Sequence, residues 1–137
     1  MSKSVSFPRR SLSKSERFTR GEAMLRHVDG ERVAENLQRA YGEFAPEFLD
    51  ALVGFAFDDI YGRPGDLRHR KLVAITSLAT MGGCDPQLET HVHGAFNVGL
   101  SKQELLEATM TLIPYIGFPK ALNLLAILKR VCESRGC

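Results

Sequence analysis

The fold is decided by residues 84–101, CDPQLETHVHGAFNVGLS, which carry clear signals for the start and end of one helix and the start of the next. Asp85 is a residue type that accepts hydrogen bonds from free amides at a helix N-cap. Pro86 suits the first helical position, where it has no amide to leave unpaired. Gly99 can adopt the left-handed conformation that ends a helix. Ser101, followed three residues later by a glutamate, predicts a capping box and a new helix.

Helical spacing of apolar residues recurs on both sides of this stretch, and strand-like alternation is almost absent. The spacing predicts helices over roughly 15–28, 31–41, 46–60, 67–81, 85–99, 101–114 and 119–131. The fold class is therefore all-α, a compact bundle of about six to seven helices. The helix over 46–60 carries an apolar face that is too wide for the surface of a lone monomer.

The composition is that of a single globular domain, with 44% hydrophobic and 25% charged residues among 137. The net charge of +2 is too small to indicate nucleic-acid binding. Seven basic and two acidic residues lie in 1–26, so that segment carries +5 and the remainder −3. We expect residues 1–14 to form a flexible basic N-terminal arm and 15–137 to form the domain. An anion-binding or partner-docking role for the arm remains the alternative.

The chain shows no hydrophobic region of a secretory signal and no apolar run long enough to span a membrane. Three cysteines is an odd number, which argues against a disulfide framework. We therefore expect a cytoplasmic protein with reduced thiols.

Four consecutive basic residues, 68–71, crowd the first turns of the predicted fourth helix. Positive charge at a helix N-terminus is unfavourable with respect to the helix dipole. Charge runs usually lie in water, so the first interpretation is a solvated face. The second is that an anionic ligand or a partner carboxylate lies nearby.

The predicted fifth helix places its two histidines on different faces. His91 lies in line with Leu88 and Ala95 and faces the core, whereas His93 is about 200° away and shares a face with Glu89. The two histidines are therefore not expected to hold one metal, and no metal site is predicted. A histidine on an apolar stripe is more often a satisfied core residue than a catalyst.

Cys84 and Tyr115 are the other candidates for chemistry. Cys84 precedes the fifth helix, where backbone amides and the dipole favour a thiolate, although burial as a small hydrophobe explains it equally well. Tyr115 lies in an Ile-Pro-Tyr-Ile-Gly-Phe-Pro turn between two helices, from which its hydroxyl either reaches a pocket or simply packs.

An ordered set of motifs resembles the carboxymuconolactone decarboxylase family. The motifs are Arg63-Pro-Gly-Asp-Leu67 with Arg70 and Leu72-Val73, then His91-Val-His-Gly-Ala95-Phe-Asn-Val-Gly99, Glu104-Leu105 and Tyr115-Ile-Gly117-Phe-Pro119-Lys-Ala121. The resemblance covers roughly residues 16–131. It implies a compact all-helical fold that assembles into homo-oligomers, trimers or hexamers, and such assembly would bury the wide apolar face of 46–60.

The family has two styles of chemistry. One decarboxylates a lactone dicarboxylate without a cofactor, and the other uses Cys-x-x-Cys-x-x-x-His with an upstream glutamate for disulfide and peroxide chemistry. Aligned on His91, Cys84 falls on the first redox cysteine, but Gln87 occupies the second, and the glutamate position falls on Lys71 or Leu72. Dithiol cycling at this motif is therefore not available within one chain. A single-cysteine thiol peroxidase that uses Cys84 and an outside thiol remains an alternative.

The decarboxylase style implies a small carboxylate or lactone substrate, no cofactor, and no membrane or nucleic-acid partner. His91 would be the catalytic acid or base, with Cys84 and Tyr115 beside it. Substrate binding would fall to Arg63, Arg70, His93 and Glu89. His93 stands where the family usually has an arginine, so a permanent charge is replaced by a pH-dependent one. A non-enzymatic oligomeric binding protein that uses the basic arm is the third hypothesis.

Overall fold

The computed structural model describes residues 16–137, and this part of the chain contains helices and no strand. The predicted all-α fold is confirmed, whereas the predicted arm at 1–14 lies outside the described residues. The third helix begins as an α-helix and continues as a π-helical segment. The helices are α1 Glu16–Asp29, α2 Glu31–Tyr41, α3 Pro46–Ala51 with the π-segment Leu52–Ile60, α4 Leu67–Met81, α5 Asp85–Asn97, α6 Lys102–Ile116 and α7 Phe118–Arg135.

Side chains and glycines set the helix ends largely as the sequence predicts. The Ser101 hydroxyl accepts from the Glu104 amide at 3.1 Å, and the Glu104 carboxylate accepts from the Ser101 amide at 2.8 Å. This is the predicted capping box. Asp66 caps α4 by accepting from the Arg68 amide at 2.9 Å. Gly99 has a φ of +99°, which allows the chain to turn sharply after α5.

Two boundaries differ from the prediction. The N-cap of α5 is Cys84, so Asp85 is already helical, and the Cys84 side chain makes no capping hydrogen bond. Helix α6 continues through Pro114 to Ile116 and ends at Gly117. A proline removes one amide donor, but in the last turn of a helix this leaves only one carbonyl, that of the exposed Met110, without its usual partner.

The core consists of two clusters of buried apolar side chains. One cluster joins α4, α5, α6 and α7, and its most deeply buried members include Ile75, Val92 and Val131. The other joins α1, α2, α3 and the π-segment and includes Val28 and Val53. Helix α1 also packs against α5. The end of α1 therefore lies where the two clusters meet.

The π-segment is held against α1 by close packing and by ion pairs. A Cβ atom on Gly21 would collide with the backbone carbonyl of Val53, so only glycine permits this approach. Arg20 donates to both carboxylate oxygens of Asp58, at 3.1 and 2.9 Å, and Arg17 pairs in the same way with Asp59. The wider turn of a π-helix is uncommon and occurs frequently near functional sites. Here the segment runs directly into Tyr61.

Candidate active site

Lys71 is the centre of the candidate site. It lies on α4, is fully buried, and forms an ion pair through Nζ with Oδ1 of Asp29, the last residue of α1. The first interpretation of the basic run, a solvated face, is therefore wrong for Lys71. The reason is helical geometry, because Lys71 lies one turn before Ile75 on the face that packs into the core. Arg68 and His69 point to solvent, as that interpretation predicted.

His91 contacts Lys71 from the neighbouring helix. Its Nδ1 lies 3.0 Å from Lys71 Nζ, and the ring is partly buried. An ammonium group has only donors, so Nδ1 must accept, and the ring proton then resides on Nε2. Burial, together with the charge of Lys71, lowers the pKa of His91 to about 4, while Asp29 opposes that shift. His91 is therefore a neutral imidazole with a defined tautomer at pH 7.

Tyr61 completes this group of side chains. Its ring centroid lies 5.0 Å from Lys71 Nζ, a cation–π contact, and its ring stacks on Phe57 with centroids 5.4 Å apart. Burial raises the pKa of Tyr61 to about 12, so the phenol stays protonated. Burial also lowers the pKa of Lys71, against the opposing effect of Asp29. We call Asp29, Tyr61, Lys71 and His91 the buried cluster.

Gly94 allows α5 to pass close to the buried cluster. A Cβ atom at this position would lie 2.5 Å from Asp29 Oδ1, 2.7 Å from Lys71 Cε and 2.8 Å from Lys71 Nζ. No side chain fits at such distances without displacing the ion pair. A glycine one turn after His91 is therefore a geometric requirement of the site.

A pocket of about 490 Å³ opens beside the buried cluster, between the end of the π-segment and α4. Tyr61 belongs to both the pocket and the buried cluster, since it lines the pocket and contacts Lys71. The other residues that line the pocket are Ile60, Asp66, His69, Arg70, Val73 and Ala74. His91 is not among them; Tyr61 contacts Lys71, and Lys71 in turn contacts the imidazole.

The structure brings Arg70 and the backbone of Arg63 together. Arg70 Nη2 donates to the carbonyls of Arg63 at 3.2 Å and Pro64 at 3.0 Å. Within residues 16–137, the buried Nε of Arg70 has no hydrogen-bond partner. The side chain of Arg63 is exposed on the loop. Arg70 therefore lines the pocket with one unused donor, whereas Arg63 lies at the outside of the same loop.

The model of the carboxymuconolactone decarboxylase family matches residues 46–130. A similar protein is the 4-carboxymuconolactone decarboxylase of Acinetobacter baylyi, 30% identical over 109 residues, which are 79% of this chain and 81% of that protein. The chain belongs to the carboxymuconolactone decarboxylase family.

Two of the predicted substrate-binding residues of this family member have arginine partners on α7. The carboxylate of Glu89 accepts from Arg130 Nε and Nη2, both at 3.3 Å. His93 Nδ1 lies 3.2 Å from Arg135 Nη1, and burial together with the charge of Arg135 lowers the pKa of His93. These contacts lie on the α7 side of α5, whereas His91 contacts Lys71 of α4. The predicted separation of the two histidines is confirmed.

The other two residues predicted to be catalytic lie apart from the buried cluster. Cys84 is half-buried at the N-cap of α5, two helical turns or about 10 Å of rise from His91. Tyr115 is 82% exposed near the end of α6. In the described part of the chain, no hydrogen bond links either residue to His91. Their catalytic assignment stays a prediction.

Sequence reasoning did not select Asp29, Tyr61 or Lys71 as site residues of this family member. Asp29 has the sequence context of a helix breaker because Gly30 follows it, and Lys71 was one of four adjacent basic residues. Two signals pointed to Lys71: it falls on the same helical stripe as Leu67 and Ile75, and the resemblance to the family puts its glutamate position on Lys71 or Leu72. A lysine on an apolar stripe needs a buried partner, because an unpaired buried charge is very costly.

Within residues 16–137, no group of three or more histidine, cysteine or acidic residues is arranged to hold a metal ion. No helix in that range is both long and apolar enough to cross a membrane.

Proposed function

We propose that this protein is a cofactor-independent carboxy-lyase that acts on a small lactone bearing a carboxylate, with His91 as the proton-transfer residue. Membership of the family and the printed activity of the Acinetobacter relative support this reaction class. The observation that carries the proposal is the hydrogen-bonded chain Asp29–Lys71–His91. It places a neutral histidine against a buried ammonium group.

The hydrogen-bonded residues Asp29, Lys71 and His91 can supply the proton that a decarboxylation consumes. When the bond to the carboxylate breaks, carbon dioxide leaves and its electron pair passes into the unsaturated lactone as a dienolate. His91 gives its Nε2 proton to that dienolate while Nδ1 takes a proton from Lys71, so that neither imidazolate nor imidazolium accumulates. Lys71 then regains a proton from water through His91. The lowered pKa of Lys71 makes the ammonium a better donor in this relay.

Asp29 and Tyr61 position Lys71 in this scheme. Burial lowers the pKa of Lys71, and the Asp29 carboxylate opposes this shift and so favours the protonated amine. The ring of Tyr61 restricts the ammonium from the other side. Preorganised charges of this kind stabilise a developing anion without having to reorient during the reaction.

The substrate carboxylate would bind next to Arg70 in the pocket that Tyr61 lines, and the lactone ring would extend past Tyr61 to reach Nε2 of His91, which does not itself line that pocket. Arg70 is already oriented by the two loop carbonyls, and its Nε has a free donor. A guanidinium fixed in this way loses little rotamer freedom when a carboxylate binds. Arg63 would contribute positive potential from the outside of the loop.

We further propose that the active protein is a homo-oligomer and that the third helix and its π-segment lie in the subunit interface. Phe48 and Phe55 are 67% and 58% exposed on this element in the single chain. Ile60 and Val73, which line the pocket, are exposed as well. A second subunit over this face would bury these side chains and exclude water from the pocket.

The test is a decarboxylation assay with 4-carboxymuconolactone and related lactone carboxylates, measured as carbon dioxide release. We expect turnover by the wild type and a loss of about 100-fold or more in kcat for His91→Gln. His27→Gln, a change of the same type at an exposed position of α1, is the matched control and should retain turnover.

Two outcomes would contradict the proposal. The first is wild-type turnover that survives in a folded His91→Gln variant. The second is a loss of activity with Cys84→Ser but not with His91→Gln, which would favour thiol chemistry instead.

A further inference from the structure

The end of α7 brings two cysteines together that belong neither to the buried cluster nor to the predicted redox motif. Cys132 is buried in the last turns of α7, and Cys137 is exposed beyond its end. Gly136 lies between them with φ +77° and ψ +27°, which is the left-handed conformation. The amide of Cys137 donates to the carbonyl of Cys132 at 2.9 Å.

These features define a Schellman-type helix cap. In that motif a left-handed residue, usually glycine, reverses the chain, and the amide of the second residue after the helix bonds to a carbonyl five residues earlier. The same reversal places the side chains of those two positions against each other, commonly as an apolar contact. In this protein both positions are cysteines. Burial, together with the neighbouring Cys137 side chain, raises the pKa of the Cys132 thiol.

We propose that Cys132 and Cys137 form a thiol–disulfide exchange site that a low-molecular-weight disulfide such as glutathione disulfide oxidises to an intrachain disulfide. The cap puts the two cysteines at the positions whose side chains meet in this motif, so their thiols need no rearrangement of the helix to approach bonding distance. The cap also holds them in a loop of only a few residues, so little chain entropy remains to be lost. Cys84 lies at the opposite end of another helix and takes no part.

The exchange proceeds in two steps. The exposed Cys137 thiolate attacks one sulfur of the small disulfide, forms a mixed disulfide and releases one thiolate. Cys132 then gives its proton to solvent, and its sulfur attacks that of Cys137, which expels the second thiolate. Two protein thiols are oxidised and one small disulfide is reduced to two thiols, so atoms and electrons balance.

The experiment is equilibration of the native protein with glutathione buffers of graded redox ratio, followed by acid quenching, alkylation and a non-reducing tryptic digest. Trypsin cleaves after Arg130 and Arg135, so the two cysteines fall in separate peptides, 131–135 and 136–137. We expect the oxidised protein to yield these two peptides joined by a disulfide. Cys84 should be recovered alkylated.

Two variants separate the steps. Cys132→Ala removes the resolving thiol, so we expect Cys137 to accumulate as the mixed disulfide with one glutathione per chain. Gly136→Ala keeps both thiols but disfavours the left-handed turn, and we expect the equilibrium constant for disulfide formation to fall about fivefold to tenfold. Cys84→Ser should leave the linked peptides unchanged.

Three results would overturn the proposal. One is wild-type protein that accumulates glutathionylated Cys137 as Cys132→Ala does. The second is a disulfide that joins two chains through Cys137, and the third is a disulfide that includes Cys84. None of these measurements depends on turnover of a lactone, so the outcome is independent of the proposed decarboxylase function.

Discussion

Lys71 Nζ lies 3.0 Å from Nδ1 of His91, and these two atoms couple the ionisation of a buried lysine to that of a partly buried histidine. Burial and the ammonium group lower the pKa of the imidazole, and the Asp29 carboxylate opposes this shift. Each member of the group therefore controls the protonation of its neighbours.

Removing Lys71 alone should lower the free energy of unfolding more than removing both members of its ion pair with Asp29. Lys71→Met leaves the Asp29 carboxylate buried without its cation, and we expect a loss of about 3–5 kcal/mol in the free energy of unfolding. In Asp29→Asn/Lys71→Met both charges are gone, and the loss should be smaller by 1 kcal/mol or more. Urea unfolding of the wild type, both single variants and the double variant measures this. Additive losses would show that the two groups are not coupled.

The low pKa of His91 should make the protein less stable in acid. Its folded value is about 4 against an ordinary 6.5, so below pH 6.5 the unfolded chain binds a proton that the folded chain does not. The part of the folding stability that depends on a neutral His91 is fully present above pH 6.5 and is lost as the pH falls towards 4. It amounts to about 3 kcal/mol. Because other groups also titrate in acid, the measurement is the difference between the wild type and His91→Gln in urea unfolding from pH 7 to pH 4. Parallel pH curves would contradict the lowered value.

How far the sequence predicts this molecule depends on whether a feature is local. The capping box at Ser101 and the turn at Gly99 depend on neighbouring residues, and the structure confirms both. The inward face of His91 follows from helical period alone. Asp29 and Lys71 are 42 residues apart, and their contact depends on how α1 packs against α4 and α5. No local pattern encodes such a pair.

The π-segment shows a second limit. The sequence predicts the bounds of a helix over 46–60, and the structure has a helix with those bounds. The apolar spacing does not distinguish α from π turns, and in the structure this segment packs through the approach of Gly21 to Val53 and through the two arginine–aspartate pairs. Tyr61 follows this segment directly and contacts Lys71. The packing of the π-segment against α1 therefore influences where Tyr61 lies in the buried cluster.

Gly94→Ala should disturb the site although alanine is a better helix former than glycine. The added methyl group would occupy the space of Asp29 Oδ1 and Lys71 Cε, so we expect a loss of about 1–3 kcal/mol in stability rather than a gain. The matched control is Gly54→Ala, whose new methyl group would meet only the flexible side chain of Arg17, at 3.3 Å. Thermal unfolding of both variants measures this. A stabilised Gly94→Ala variant would contradict the close approach.

The oligomer prediction is tested by light scattering after size exclusion. We expect the wild type to elute as a trimer or hexamer, and Phe55→Glu to dissociate it because the charge would enter an apolar interface. Met110→Glu changes a side chain of similar exposure on α6 and should leave the assembly intact. Equal dissociation by both variants, or a monomeric wild type, would contradict an interface on the third helix.

Arg70 should determine how tightly the substrate binds. Arg70→Lys keeps the positive charge but removes the planar guanidinium. The variant therefore loses the Nη2 group that donates to two loop carbonyls and the Nε group that would bind the substrate. We expect KM to rise about 10-fold to 100-fold. The effect on kcat should be smaller, because the proposed proton transfer takes place at His91. The matched control is Arg68→Lys, whose exposed guanidinium pairs with Asp66. A fall in kcat at constant KM would show that Arg70 acts in the chemical step. Unchanged kinetics would show that the substrate carboxylate does not bind in this pocket.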